Sequence, residues 1–287
     1  MKSLKDYSDK AQKEGWAIGH FNFSNSELLK AIIEAAKKLK SPVILGTSEG
    51  ESKSLGLKQA VFMINSYRKE TGLPIFLNLD HGKSFGYIKK AVDAGYDSVH
   101  FDGSDLSLFE NIKITKKVVE YAHKKKVLVE GEVGFIKGSS EILKKAPQIK
   151  KEDLTDPKEA EKFVKETKVD RLAVNIGTFH GMRASGRNPH INLKRLKEIR
   201  ERLGEMPLVL HGGSGTPKED IKTSLKLGVA NIHINTELRV AYTEALRQIL
   251  KQKLKETTPY KYMPQVIEAV QKVVENKIRL FGSENKL

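Results

Sequence analysis

The sequence predicts an α/β chain folded as a (β/α)8 TIM-type barrel with a C-terminal helical extension. Three observations carry this expectation. Eight short apolar runs of β type are spread from end to end, each is followed by a helix-patterned stretch, and reactive polar residues gather at the C-terminal ends of the runs. A doubly wound open sheet would share the alternation, and the placing of the polar residues favours the barrel. The chain, residues 1–287, is expected to be a single domain.

The first apolar run is Ala17–Phe23, followed by a helical pattern from Ser26 to Leu39. Pro42 punctuates, Val43–Ser48 is the second run, and a helix follows through Ala60 to Arg68. Pro74 introduces the third run, Ile75–Asp80. A helix from Phe85 to Asp93 leads through Gly95 to the fourth, Ser98–Asp102. A helix from Phe109 to His123 precedes the fifth, Val127–Val133. The next segment, Gly134 to Asp153, lacks periodicity and exceeds an ordinary strand-to-helix connection, so it reads as a mobile loop at the site. Asp156-Pro157-Lys158-Glu159 opens a capped helix, and Arg171–Gly177 is the sixth run. A second long loop, His180 to His190, precedes a helix from Leu193 to Leu203. Leu208–Leu210 is the seventh run. Its helix is expected to start with Thr216 as N-cap, Pro217 at the first helical position and Glu219 closing a capping box, and to end at Gly228. Asn231–Asn235 is the eighth run, and two helical stretches flank Pro259.

Bulk properties narrow the class. The apolar share of 39% supports a real core, and the absence of cysteine excludes disulfides, thiolate metal sites and a cysteine nucleophile. The N-terminal residues lack a signal-peptide pattern and no apolar run reaches membrane-spanning length, so the expectation is a cytoplasmic protein with no membrane partner. The net charge of +15 raises nucleic-acid binding, but the lysines are dispersed over helix surfaces without interleaved aromatics. No nucleic-acid partner is expected. A diffuse positive field would favour an anionic substrate.

A buried parallel strand should be nearly all apolar, and here the exceptions fall at one end. Asn22 ends the first run, Ser48 the second, Asp80 and His81 the third, Asp102 the fourth and Glu132 the fifth. His180 and Gly181 follow the sixth, His211 ends the seventh, and His233, Asn235 and Thr236 end the eighth. An α/β barrel builds its site at that rim. His81, His180 and His211 each precede a glycine that lets the chain turn, and three imidazoles with an open fourth position make a catalytic divalent-metal site. His20, His100, His123 and His190 lack this setting and are read as structural. Asp80 is a candidate proton shuttle if the strand ends there, since strand neighbours otherwise face opposite ways. Asp102 and Glu132 are carboxylates either for a second or displaced metal position or for rim hydrogen bonds. The loops after the last two strands, Gly212-Gly213-Ser214 and Asn235-Thr236, occupy the fold's usual phosphate position.

Taken together, Leu79-Asp-His-Gly82, Asp102-Gly-Ser104, Val129-Glu-Gly-Glu-Val-Gly134, Gly177-Thr-Phe-His-Gly181, His211-Gly-Gly-Ser-Gly215, Ile234-Asn-Thr-Glu237 and Leu280-Phe-Gly-Ser283 resemble the class II, metal-dependent fructose-bisphosphate aldolase family, which includes tagatose-bisphosphate enzymes. The resemblance implies a catalytic Zn²⁺ on His81, His180 and His211, with Asp102 and Glu132 at a second-metal position and a second divalent or monovalent cation as a further expectation. It implies Asp80 as the acid/base at the substrate hydroxyl. It implies dihydroxyacetone phosphate contacts from Gly181, Gly212, Gly213 and Ser214 and from His233, Ile234, Asn235 and Thr236, with Asn22 and Ser48 also on substrate. The implied reaction is reversible cleavage of fructose 1,6-bisphosphate to dihydroxyacetone phosphate and glyceraldehyde 3-phosphate by a homodimer or homotetramer. Two features depart from the family pattern. His233 stands where asparagine is usual, which opens the tagatose bisphosphate alternative. The loop glutamate for the carbon-bound proton is matched only loosely, by Glu141. A Schiff-base mechanism finds no lysine at a strand end among these motifs, and a non-catalytic sugar-phosphate-binding protein is the alternative of a different class.

Overall fold

The computed structural model describes residues 2–287. Eight parallel strands close into a barrel: β1 (Ile18–Asn22), β2 (Val43–Ser48), β3 (Ile75–Gly82), β4 (Ser98–Phe101), β5 (Leu128–Val133), β7 (Arg171–Val174), β9 (Leu208–Leu210) and β10 (Val229–Ile234), with β10 returning to β1. Two further strands lie outside it and are described below. The expected barrel is therefore the observed one. Each strand sits within or beside its apolar run because valine, isoleucine and leucine fit a wall buried on both faces.

The helices follow the sequence signals closely. Asn25 caps α2 (Ser26–Lys38), Ser84 caps α5 (Phe85–Ala94), Ser107 caps α6 (Leu108–His123), Asp156 caps α7 (Pro157–Thr167) and Asn192 caps α8 (Leu193–Leu203), each accepting a backbone N–H. The helical pattern after the second strand divides at Gly56, whose φ of 89° breaks α3 (Glu49–Leu55) from α4 (Leu57–Thr71). The C-terminal extension consists of α10 (Thr236–Gln252) and α11 (Pro259–Leu280), and α11 packs on α2 and α10.

One element adds to the sequence reading and two local expectations are corrected. An amphipathic helix, α1 (Leu4–Glu14), precedes the barrel, held by a Ser3–Asp6 capping box. Leu4, Tyr7, Ala11 and Trp16 pack with Ile18, Ile44, Phe76 and Ala230, from the early positions of four strands, so α1 plugs the end of the barrel opposite the site. The long loops are also less irregular than expected. Gly138–Leu143 forms β6 and His180–Arg183 forms β8, which pair as a separate two-stranded parallel sheet. Finally, α9 (Lys218–Lys226) starts later than its sequence suggests. Thr216 Oγ1 donates to the Gly212 carbonyl (3.0 Å), and the helix begins after Pro217 without a side-chain cap.

The strand packing is tight where the barrel interior is polar. Gly46 on β2 faces the His20 ring, which is fully buried and stacked on His233 with centroids 3.6 Å apart and planes within 4°. A methyl group at Gly46 would overlap the His20 ring at its Cε1 edge, and the stack on His233 resists its displacement. Gly46→Ala is therefore expected to cost about 1–3 kcal/mol by overpacking. Thermal unfolding checks this: the variant should melt several degrees lower, and an unchanged Tm would show that the interior relaxes.

Candidate active site

The C-terminal ends of the strands surround a cavity of about 410 Å³. Of the residues singled out from sequence, Asn22, Ser48, Asp80, His81, His180, Gly181, His211, Gly212, Ser214, His233, Asn235 and Thr236 line it. Asp102 and Glu132 stand behind His81, and Ile234 is buried in the barrel wall. Gly213 does not line the cavity; its N–H donates to the His233 carbonyl (3.2 Å), which ties the seventh loop to the eighth strand.

β3 resolves how neighbours Asp80 and His81 serve one site. The strand does not stop at Asp80 but runs to Gly82, and its register with β4 shifts between Leu79 and Gly82. His81 has a φ of 50°, rare for a residue with a Cβ, and this kink turns both side chains into one cluster with His100 and His211. His81 Nδ1 lies 2.8 Å from Asp102 Oδ2, which leaves Nε2 toward the cavity. The His81 ring is 4.6 Å, centroid to centroid, from both His180 and His211. Buried Asp80 Oδ1 and His180 Nε2 have no hydrogen-bond partner among the described residues. An unpartnered imidazole nitrogen on His180, beside the rings of His81 and His211, fits a divalent ion.

Asp80 is oriented by Asn22, whose Nδ2 donates to Asp80 Oδ2 (3.0 Å), and His233 Nδ1 lies 3.2 Å from Oδ1. Burial alone would raise the Asp80 carboxyl, but His81 and then His233 hold it well below the usual carboxylate range. Asp102 lies between His81 and Lys83, whose Nζ is 2.9 Å from Asp102 Oδ2, so a cation already neutralises this carboxylate. His81, Asp102 and Glu132 still form a compact donor cluster.

Sequence reading missed several members of the site. His20 and His100, read as structural, back directly onto it: His20 stacks on His233, and His100 Nε2 is 3.1 Å from Glu132 Oε2. Their positions within strands hid them, because only barrel closure brings those interior positions beneath the rim. His123 and His190 do pair elsewhere, with Asp170 (2.9 Å) and Asp220 (3.0 Å). Glu51 lines the cavity, accepts from Asn22 Nδ2 (3.0 Å) and is raised by burial. Its signal was the Ser48-x-x-Glu51 capping box, formed at the strand end. Arg239 also lines the cavity and donates to the Ser140 carbonyl (2.8 Å) on β6. Glu141, on the same strand, is exposed and lies outside the cavity lining.

The glycine-rich turn after β9 has positive φ at Gly212 (65°) and Gly215 (73°). A Cβ at Gly212 would meet the Phe179 carbonyl, so the turn can approach the sixth-strand loop only as glycine. The helix end that opens on the cavity belongs to α10, not α9. Thr236 lines the cavity, and Asn235 gives α10 no side-chain cap. A positive helix terminus thus stands beside Gly212 and Ser214.

Comparison with known proteins agrees with this geometry. The family model described as fructose-bisphosphate aldolase class-II matches residues 2–286. The chain belongs to the class II fructose-bisphosphate aldolase family. It is 39% identical to a probable fructose-bisphosphate aldolase of Bacillus subtilis, over 99% of this chain and 98% of that relative. It is 38% identical to a fructose-bisphosphate aldolase of Staphylococcus epidermidis over the same shares. Among solved structures, the YdjI aldolase of Escherichia coli K12 superposes with a TM-score of 0.85 at 32% identity, covering 100% of this chain and 99% of that one. A putative fructose-1,6-biphosphate aldolase of Coccidioides immitis gives the same TM-score at 27% identity, covering 99% and 97%. No helix among the described residues is long and apolar enough to cross a membrane.

The protonation pattern of this family member sets the outcome of metal uptake. Burial pushes His180 down to about 3 and holds His211 well below the ordinary imidazole value. Burial also opposes charge on His81, but Asp80 and the hydrogen bond to Asp102 outweigh it and raise that ring. At about pH 6, below the reference value of about 6.5, His81 therefore keeps its proton while His180 and His211 are neutral. Divalent-ion binding at that pH should release about one proton per ion. Titration calorimetry in buffers of differing ionisation heat measures this, and release of two or three protons would contradict the assignment.

Proposed function

We propose that the chain is a zinc-dependent class II aldolase that reversibly cleaves fructose 1,6-bisphosphate into dihydroxyacetone phosphate and glyceraldehyde 3-phosphate, acting as one barrel domain. The observation that carries the proposal is the juxtaposition of an ionised, oriented Asp80 with clustered imidazoles, in the same cavity as a glycine loop and a helix terminus suited to phosphate. His81, His180 and His211 would hold the ion. When bound, zinc supplies Lewis-acid stabilisation of the negative charge that develops on the ketone oxygen, worth several kcal/mol.

The protein's own residues do the rest. Asp80 accepts the proton of the substrate C4 hydroxyl as the C3–C4 bond breaks, so the C4 half leaves as aldehyde and the bonding pair stays with the dihydroxyacetone phosphate half. In the synthetic direction Asp80 returns that proton. Asn22 orients the Asp80 carboxylate, and the His233 ring stands beside it. The N–H groups around Gly181, Gly212 and Ser214 and the start of α10 bind the ketose phosphate, with His233, Ile234, Asn235 and Thr236 forming the wall beside it, while Gly213, whose N–H is taken by the His233 carbonyl, braces the turn. Asn22 and Ser48 contact substrate from the opposite side, and Arg239 supplies a cationic side chain.

A second reading, cleavage of tagatose 1,6-bisphosphate, is favoured by one feature, the imidazole of His233 within 3.2 Å of Asp80 Oδ1. That contact would bear on the C4 hydroxyl, whose proton Asp80 is proposed to accept. His81, Asp102 and Glu132 are the residues for a second divalent or monovalent cation. We further propose a homodimer or homotetramer in the cytoplasm. The exposed Leu250, Leu254 and Tyr260 around the α10–α11 junction support a subunit contact.

Purified protein assayed with both bisphosphates should favour the fructose sugar, lose activity on chelation and regain it with zinc. Asp80→Asn should lower kcat by about 10²–10⁴-fold with zinc content unchanged, whereas His180→Ala should lose both zinc and turnover. Activity that survives chelation and is trapped by borohydride would establish a Schiff-base lysine instead. Absence of cleavage of either sugar, with binding retained, would make this a sugar-phosphate-binding protein.

A further inference from the structure

Beneath the rim, the barrel interior contains one buried guanidinium. Arg171 opens β7 at 1% exposure and is the sole buried lysine or arginine among the described residues. It pairs in register with Glu130 on β5. Its Nε donates to Glu130 Oε2 at 2.7 Å, and its Nη2 donates to Asn78 Oδ1 at 3.0 Å and Ser98 Oγ at 3.1 Å. The other oxygen of Glu130, Oε1, is 2.7 Å from His211 Nε2. Glu130 itself is fully buried.

The chain Arg171–Glu130–His211 fixes more than packing. An acceptor at 2.7 Å on Nε2 requires that nitrogen to carry the hydrogen, so Nδ1 is left as the lone-pair nitrogen of a ring that lines the cavity. Glu130 can hold His211 this way only while its own carboxylate is ionised and aimed. Fully buried, it needs an opposite charge within the same dry space. Arg171 supplies that charge, and its planar fork is itself aimed by Asn78 and Ser98. Asn78 also donates to His20 Nε2 (3.1 Å), so the same floor supports the His20–His233 stack.

We propose that Arg171 is a positioning residue for the metal centre: by orienting ionised Glu130 it sets the tautomer and direction of His211 as a ligand. The proposal rests on the zinc reading of the site. A purely structural ion pair would occupy the same space, and only the metal can tell the two apart. Partners of this kind that act behind a ligand change metal affinity by about 10–100-fold.

The test uses the full chain and compares wild type with Arg171→Lys, Arg171→Met, Glu130→Gln and the double variant Glu130→Gln/Arg171→Met. Zinc dissociation constants come from chelator competition, and the absorption spectrum of the Co²⁺-loaded protein reports ligand geometry. Arg171→Met and the double variant should bind zinc about 10–100-fold more weakly and shift the Co²⁺ spectrum, while Arg171→Lys should recover much of the loss. The double variant removes both buried charges and so keeps the measurement possible if Arg171→Met alone does not fold. Zinc affinity and Co²⁺ spectrum within twofold of wild type in a folded Arg171→Met or double variant would overturn the proposal, as would variants that differ from wild type in Tm alone. Failure of wild type to bind zinc would instead overturn the functional reading on which this one stands.

Discussion

Everything at the rim depends on the balance of buried charge at the centre of the barrel. Asp80, Asp102, Glu130 and Glu132 are each less than a tenth exposed, the first two and Glu132 at the strand ends and Glu130 one layer below. Isolated, each would be too costly to ionise there. Six of the eight histidines, His20, His81, His100, His180, His211 and His233, surround them, and Arg171 supplies the permanent positive charge below. Imidazoles suit this work because they can give or withhold a proton as each contact requires. His100 is held well above its ordinary value by Glu130 and Asp80 against burial, while His211 is held well below. Such a centre is stable only when its charges are matched.

The backbone makes this balance possible by breaking ordinary strand rules in one place. A regular β3 would send His81 to the opposite face from Asp80. The register shift and the positive φ at His81 put both into one cluster. Strain of this kind persists only where surrounding contacts over-determine it. Here the His81 ring is held by Asp102.

Much of this was legible in the sequence, for identifiable reasons. The barrel follows from alternation of period, and the rim from the polar residue that ends each apolar run. His81, His180 and His211 stood out because glycines follow them. His20 and His100 did not, because a histidine within a strand looks the same whether it faces a structural partner or the site. Glu130 and Arg171 were hidden for the same reason: each lies within or at the start of an apolar run, and only closure brings β5 and β7 together. The α9 capping signal was misleading. Thr216 used its hydroxyl to brace the glycine turn at Gly212, and the helix that faces the cavity came from the next unit.

The small outer sheet joins the remaining parts. β8 begins at His180, so a residue proposed to hold the ion is also an edge of the β6–β8 pair. The His180 N–H donates to the Lys137 carbonyl at 2.7 Å, and Gly138 lies so close to the His180 carbonyl that a Cβ would collide with it. On the far side, Arg239 at the start of α10 holds the Ser140 carbonyl of β6. Ser139 and Ser140 line the cavity between these two attachments. Displacing β6 must therefore break the Lys137–His180 bond or move His180 with it, and it must also release Arg239. The segment over the cavity is thus tied to the proposed ligand His180 by a backbone hydrogen bond and to α10 by the Arg239 side chain.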